Sequence, residues 1–511
     1  MPEYLAPGVF IEEIERGPKP IEGVATSTTA FLGETERGPL KPTFITGYGE
    51  FLRQFGDVYG PGKYVPYAVK SFFDNGGRRA YIARIAGANA LTATVELSGV
   101  TVNARGPGAA ANRTWVRIEP GSTKDKAGNS VGFRLRLFYW DRLPEGSDPF
   151  DPIAEDKRLP RPVITEDFDD LMMAEASPNH WKKRVNNGNS SLVEISIPDG
   201  TALPAALDQN RLDGGTDGDA LIPGDFAGDE LADADKRTGL AALNLDPYRD
   251  IAIVAAPGQT AKEFLLPVID HCERNRFRFA VVDGPQNQPQ PTALDPRSDI
   301  DDSKYAALYY PWIIVSDPRS GARVEIPPSG AICGIYALTD NTRGVWKAPA
   351  NETVAGALDL KYEVNTGAQE NLNPKGVNAI RRFPGRGIRV WGARTLSSDP
   401  LWKYVSVRRL FIFLEASIYF ATQWVVFEPN DPRLWARVKQ TVTLFLRSQW
   451  REGALFGEKE EEAFHVAIGR DTMTEDDILN GRLIIEIGIA PVRPAEFVIF
   501  RIYQRTQESK E

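Results

Sequence analysis

Cysteine, histidine and methionine are scarce in this chain, with two, three and four in 511 residues. The cysteines, Cys272 and Cys333, lie far apart in sequence. That excludes a disulfide framework and fits a reducing compartment. Neither belongs to a Cys-x-x-Cys pair, so a zinc ribbon or redox pair is excluded. His180, His271 and His465 have no metal-ligand spacing. There is no phosphate loop, because Gly60-Pro61-Gly62-Lys63 lacks the upstream glycine. Ser329-Gly330 lacks the glycine two residues earlier that a nucleophile elbow needs. Positive charge is not in excess: the net charge is −9, which argues against a dedicated nucleic-acid binder. Met1-Pro2-Glu3 has no basic start and no apolar core behind it, so no secretory signal is expected. The most apolar segment, Leu410 to Phe427, contains Glu415 and adjoins Arg408 and Arg409. A membrane span needs ~20 apolar residues with few charges, so a helix buried in a protein core is expected here.

The composition is that of a soluble globular protein, 42% hydrophobic and 25% charged. The length is too great for one core, and roughly two to four domains are expected. Residues 22–90 read as an α/β opening. A strand ends at Ala30-Phe31-Leu32-Gly33, and a short helix opens at Tyr48-Gly49-Glu50-Phe51. A second helix through Tyr67–Phe73 stops at Asn75-Gly76-Gly77, and a strand follows over Arg79–Ile85. Residues 91–211 change character. Trp115–Ile118 and Phe133–Tyr139 alternate apolar with basic residues, and turn residues fill the gaps, notably from Leu143 to Pro162. This predicts an inserted, mainly β module with one exposed sheet face. Residues 212–339 return to α/β. A strand is predicted over Asp250–Pro257, a helix over Thr260–Arg274, and strands over Phe277–Asp283 and Ala306–Ser316. Strand, helix and strand at this spacing imply a right-handed parallel crossover.

Candidate chemistry is sparse. Leu212-Asp213-Gly214-Gly215-Thr216-Asp217-Gly218-Asp219 gathers carboxylates among glycines, but it lacks the distal glutamate of a calcium loop and also reads as a tight turn. Asp283 sits at a strand's carboxyl end, where α/β enzymes place ligands; turn chemistry explains Asp283-Gly284-Pro285 equally well. Residues 375–409 hold nine basic residues against Asp399 alone. They form a solvated face, a phosphate site, or a docking surface for an acidic protein. Asp431-Pro432 opens a helix whose stripe is Trp435, Val438, Val442, Phe445 or Leu446, and Trp450. Its other side carries Arg433, Arg437, Lys439, Arg447 and Arg451, and Gly453 can end it.

Both ends of the chain are strand-like: Tyr4–Ile14 at one, Glu496–Tyr503 at the other. Apolar terminal strands need a sheet to join, either their own or a neighbour's.

Several segments together resemble one family. The opening Tyr4-Leu5-Ala6-Pro7-Gly8-Val9-Phe10-Ile11-Glu12-Glu13, then Gly33-Glu34-Thr35-Glu36-Arg37-Gly38-Pro39, then Phe72–Gly77 followed by Tyr81-Ile82-Ala83-Arg84 are similar to contractile tail sheath proteins of phages and phage-tail-like injection particles. Leu212–Gly218, Asn373–Asn378, Gly387–Thr395, Tyr404–Leu410 and Phe427–Asp431 continue the resemblance. It covers residues 1–90 and 212–505 and is weakest over 91–211. It implies an α+β or α/β multidomain fold. A core domain over 22–90 and 340–495 would pack on an inner tube. The inserted mainly β module, 91–211, would lie outside, beside an α/β domain over 212–339. Extended arms, 1–21 and 496–511, would link subunits. The implied function is a structural sheath subunit, polymerising as helical rings around the tube and contracting to drive it through a target envelope. Val9, Phe10, Ile11, Phe497, Val498, Ile499 and Phe500 would be the lending arms. Tube contact would fall on Arg433, Arg437, Lys439 and Arg447, or on the basic stretch before them. The implied partners are further copies of the chain, the tube protein, and baseplate and cap proteins at the ends. Assembly in the producing cell's cytoplasm follows. No catalytic residue, cofactor, metal, direct nucleic-acid contact or membrane insertion is expected. The alternative is an α/β enzyme or ligand-binding protein with a site near Asp217 or Asp283.

Overall fold

The computed structural model describes residues 20–144, 146–150 and 159–502. Val9, Phe10 and Ile11 lie outside the described residues, as does Tyr503. The chain divides into a larger unit, residues 25–409 with 494–502, and a smaller one, residues 20–24 with 410–493.

The larger unit is built on an eight-stranded sheet. Its order is Gly387–Val390, Val377–Phe383, Ala306–Tyr310, Phe279–Asp283, Ile253–Ala255, Thr29–Gly33, Ala80–Arg84, Thr43–Ile45. The six inner strands are parallel and the two edge strands antiparallel. Thr29–Gly33, Phe279–Asp283 and Ala306–Tyr310 are buried along their whole length. Continuous apolar runs are what a parallel sheet covered on both faces requires. The helices Val65–Asp74 and Ser329–Arg343 pack so closely that a Cβ on Gly330 would lie 2.4 Å from the Ala68 Cα.

This sheet corrects the expected division. Strands from 22–90, 212–339 and 340–409 are neighbours in one sheet, so setting 212–339 apart from 22–90 and 340–409 would cut its hydrogen-bond ladders. The segment 410–493 separates from them instead. Two other expectations change. Ala306–Ser316 is not one strand: Pro311 has no amide to donate, and Ile313–Ser316 joins a different, three-stranded sheet. Of Asp250–Pro257, only Ile253–Ala255 is paired as strand.

Residues 93–212 enclose a core of their own. An antiparallel sheet of Asp208–Arg211, Thr114–Pro120, Phe133–Tyr139 and Ile164–Leu171 shares it with a three-stranded sheet of Thr94–Leu97, Val100–Ala104 and Val193–Ser196. Phe133, Leu135, Leu137 and Tyr139 point inward, and Arg134 and Arg136 face Glu119 and Asp167 outside.

In the smaller unit, the helix Pro432–Arg451 is capped by Asp431, whose carboxylate accepts from the Arg433 and Leu434 amides. A two-stranded hairpin, Phe464–Ile468 with Ile485–Ile489, lies beyond it. The expected helix over Leu410–Phe427 runs instead over Val405–Ala421 and is followed by a 3₁₀ turn at Gln423–Val425. Among the described residues no helix is long and apolar enough to cross a membrane.

One ion pair joins three parts of the larger unit. Arg409 donates to both Asp340 oxygens at 2.9 and 2.6 Å and to the Thr26 carbonyl at 2.9 Å. It also lies 4.7 Å from the Tyr336 ring centroid, and the two charged side chains are 4% and 3% exposed. Burial acts to lower the Arg409 pKa, but the Asp340 carboxylate outweighs it and raises it. Breaking a buried pair from one side strands the other charge. Asp340→Ala is therefore expected to cost about 3–5 kcal/mol in chemical denaturation of the unassembled chain. Asp340→Leu with Arg409→Met should recover more than half of that; a double variant as unstable as the single would refute this account.

Candidate functional site

The ligand-site reading does not survive the geometry. Asp283 is buried and fully used. Its carboxylate accepts from the Ser329 amide (2.8 Å), the Ser329 hydroxyl (2.7 Å) and the Gly258 amide (3.1 Å). Burial pushes its pKa up to about 6, against those three hydrogen bonds. It holds the start of the helix Ser329–Arg343 and leaves no open face toward a ligand. The loop 212–219 is where the chain returns from the β module. Asp213 pairs with Thr94 through the backbone, Thr216 with Leu91, and the Asp219 amide donates to the Ala88 carbonyl. Gly218, at φ +76°, approaches so closely that a Cβ would lie 2.5 Å from that same carbonyl. Asp217 caps the Ala109 amide at 2.9 Å. A cleft of about 590 Å³ beside it is lined by Glu36, Arg113, Asp141 and Arg319, but Arg113 is spent on Glu36 and Arg319 on Asp141. Among the described residues no three His, Cys, Asp or Glu side chains are gathered as a metal would need. Buried His271 accepts from Arg278 at 2.6 Å, and burial, with Arg278 beside it, lowers its pKa to about 3.

The basic stretch 375–409 is mostly internal. Lys375 donates to the Thr292 and Leu294 carbonyls, and Arg381 to Gln369 and Thr366. Arg382 pairs with Asp359 and Glu363, while Arg386 and Arg389 hold Asn351. Arg394 and Lys403 converge on Glu496. Arg408 stacks on Tyr305 and Trp402 at 4.8 and 4.4 Å. With Arg409 on Asp340, all nine have partners within the chain, but Lys375, Arg381, Arg386 and Arg389 bond only neutral groups, and Arg382 and Arg386 stay exposed.

The four tube-contact candidates on the helix Pro432–Arg451 separate. Arg447 makes a two-pronged pair with Glu460 at 2.6 and 2.9 Å. Arg437 lies 4.0 Å from the Trp424 ring centroid. Arg433 and Lys439 are exposed and have no ion-pair partner among the described residues. At about 100° per residue, Lys439 lies ~120° round the helix from Arg433. Arg433, Arg437, Leu444 and Arg451 share the outward face, opposite buried Leu434, Val438, Val442 and Phe445.

The terminal strand is where this chain is least satisfied. Phe497, Val498, Ile499 and Phe500 belong to no helix or strand and are 72%, 70%, 78% and 83% exposed. From Phe497 to Ile502 no backbone group pairs with another described residue. Immediately before them Glu496 is held hard. Arg394 reaches its two oxygens at 2.8 and 2.6 Å, Asn373 donates at 2.8 Å and Tyr404 at 3.1 Å. The only sequence signal for Glu496 is its place as a lone carboxylate opening an apolar run. The hairpin Phe464–Ile468/Ile485–Ile489 is the counterpart: among the described residues each strand pairs only with the other, leaving two open edges.

Comparisons with known proteins identify the family. A family model for the phage tail sheath protein central domain matches residues 231–396, and one for the phage tail sheath C-terminal domain matches 397–505, together more than half of the chain. The chain belongs to the phage tail sheath family and is a structural component of a phage tail or tail-like particle. A Pseudomonas aeruginosa (strain UCBPP-PA14) protein described as a prophage major tail sheath protein is 26% identical over 278 residues, 53% of this chain and 69% of that protein. The sheath of an extracellular contractile injection system, PVC, in its contracted state aligns over 99% of this chain and 100% of that one, with a TM-score of 0.60 at 24% identity. The contracted helical sheath of the anti-feeding prophage aligns over 98% and 100%, with a TM-score of 0.58 at 25% identity.

Burial acts to raise the Glu496 pKa, but the hydrogen bonds from Arg394 and Asn373 and the Arg394 charge outweigh it and hold it below the usual value. A carboxylate with a depressed pKa contributes stability above its unfolded value of about 4.3, and that contribution is lost as pH falls through the folded value. The stability difference between wild type and Glu496→Gln should therefore be present at neutral pH and vanish in acid below about pH 4. A difference independent of pH would show that ionised Glu496 is not what holds the segment.

Proposed function

We propose that this chain is the sheath subunit of a contractile injection particle. Copies polymerise as stacked helical rings around an inner tube and contract to drive the tube through a target envelope. The observation that carries this reading is the exposed apolar segment Phe497–Phe500 on a chain that also carries a two-stranded hairpin with no further strand partner among the described residues. Strand addition through backbone hydrogen bonds joins such surfaces. A two-stranded hairpin alone is marginal in water and gains from further strands. The donor strand of one copy completes the hairpin of another, and the contact is heterologous, so it builds open helical assemblies. Val9, Phe10 and Ile11 lend a second strand in the same way. The segments 1–21 and 496–511 are thus the linking arms, and 91–211 is the outward module.

The tube meets the outward face of the helix Pro432–Arg451, through Arg433 and Arg437 with Leu444 further along the same face. Arg447 supports that helix through Glu460, and Lys439 lies beside the contact. Baseplate and cap proteins close the two ends, and assembly takes place in the producing cell's cytoplasm. The role is structural rather than catalytic.

Val498→Asp with Phe500→Asp should leave the unassembled chain as stable as wild type, because both side chains are already in water. The same variant should form no tubes in negative-stain electron microscopy. Tubes of normal length would sink the arm-lending reading. Arg433→Glu with Arg437→Glu should leave sheath-to-sheath assembly intact but prevent co-purification with the tube protein; unchanged co-purification would place the tube contact elsewhere.

A further inference from the structure

The four residues that would leave the subunit begin one position after a carboxylate that four side-chain hydrogen bonds hold on the larger unit. Glu496 takes two charge-assisted bonds from Arg394, one from Asn373 and one from Tyr404, with Lys403 at 3.6 Å. Arg394 is itself fixed. Its Nη1 donates to the Asn373 carbonyl at 2.8 Å. Its amide and carbonyl are both held by the buried Asn378 side chain, at 2.6 and 2.8 Å. Asn378 lies in the strand Val377–Phe383 and also donates to Leu308 of the next strand. A continuous path of hydrogen bonds therefore runs from Glu496 through Arg394 and Asn378 into the central sheet. On the other side of the tether, Val492 is still bonded to Ala454 in the smaller unit.

We propose that Glu496 is the anchor of the C-terminal arm. It fixes the point where the arm leaves the subunit, so load from a neighbouring copy holding Phe497–Phe500 enters the central sheet through Arg394 and Asn378. Residues 493–495 carry none of that load. This rests on the arm-lending reading above and adds the residue that grounds the arm. Charge-assisted, two-pronged pairs of this kind are the strong ones, and a fixed departure point spares a docking strand part of its ordering cost.

The anchor makes a length-dependent test available. Gly-Ser-Gly-Ser is inserted either between Arg493 and Pro494, upstream of the anchor, or between Glu496 and Phe497, downstream of it. Four residues add up to about 14 Å of slack, and an even number keeps the arm's side chains on the same faces. Each variant is carried in the intact particle, and triggered contraction is scored by electron microscopy beside a deletion of residues 497–511. The upstream insertion should contract within about twofold of wild type, while the downstream one should lower the contracted fraction at least about tenfold. Two insertions that behave alike, both tolerated or both damaging, overturn the anchor. Particles that assemble and contract without residues 497–511 overturn the arm-lending reading and the anchor with it. Loss of assembly in the deletion, together with indistinguishable insertions, removes the anchor alone.

Discussion

Backbone amides and carbonyls from Phe497 to Ile502 need partners that the described part of this chain does not supply, and the side chains among them are apolar and in water. Unpaired strand edges are ordinarily blunted by charge, proline or a covering element. Here the strand carries no such protection until Arg501, and the hairpin Phe464–Ile468/Ile485–Ile489 is equally open at both edges. A monomer built this way is unfinished, and under the proposed arm-lending a lattice of copies would resolve both deficits with one contact. The buried chemistry elsewhere is consistent with that role. The charges within the larger unit's body are spent on one another: Arg409 on Asp340, Arg113 on Glu36, Arg319 on Asp141.

A contractile lattice must change its contacts without coming apart. Coupling between two states is typically ~1–3 kcal/mol, small for one subunit and large when summed over many copies. Fully burying a Val, Ile or Phe side chain is worth about 1.5–3 kcal/mol, so even two inward-facing arm residues match or exceed that difference. Links made by such strands persist while weaker surface contacts exchange. Exposed ion pairs, by contrast, contribute ~0–1 kcal/mol each.

Much of the local structure was legible in the residues. Phe133–Tyr139 alternates in burial as its pattern requires, and Asp431-Pro432 caps a helix as its chemistry requires. Asn75 closes the helix Val65–Asp74 by donating back to the Ser71 carbonyl. The motif Gly33–Pro39 has a structural meaning too: Arg37 caps the last carbonyls of the helix Tyr48–Phe55 and stacks on Tyr139. Sheet order was not legible, because parallel neighbours such as Tyr309 and Asn378 are joined by long crossovers that no local pattern encodes. The basic stretch misled for the same reason. Partners such as Asp340, Asp359 and Glu496 are distant in sequence, so part of a run that looks like free charge is paired in space. Asp217 and Asp283 show the converse: carboxylates at site-like positions that turn and helix-start geometry fully accounts for.

Anchoring both ends of the chain separately has a thermodynamic consequence. Fixing a residue's backbone costs about 1–2 kcal/mol, so a strand that must be ordered along a long tether loses much of what its burial supplies. Residues 20–24 are held within the smaller unit, where the Val24 amide donates to Ser417 and Gly23 lies against Phe413. Glu496 is held within the larger one. Each arm thus begins at a fixed residue rather than at the end of a loose segment, and for the C-terminal arm the first residue to be lent follows the anchor directly. That spacing keeps the ordering cost to the residues that pair, which is the condition under which a short apolar strand, without a covalent link or a bound nucleotide, holds two subunits together.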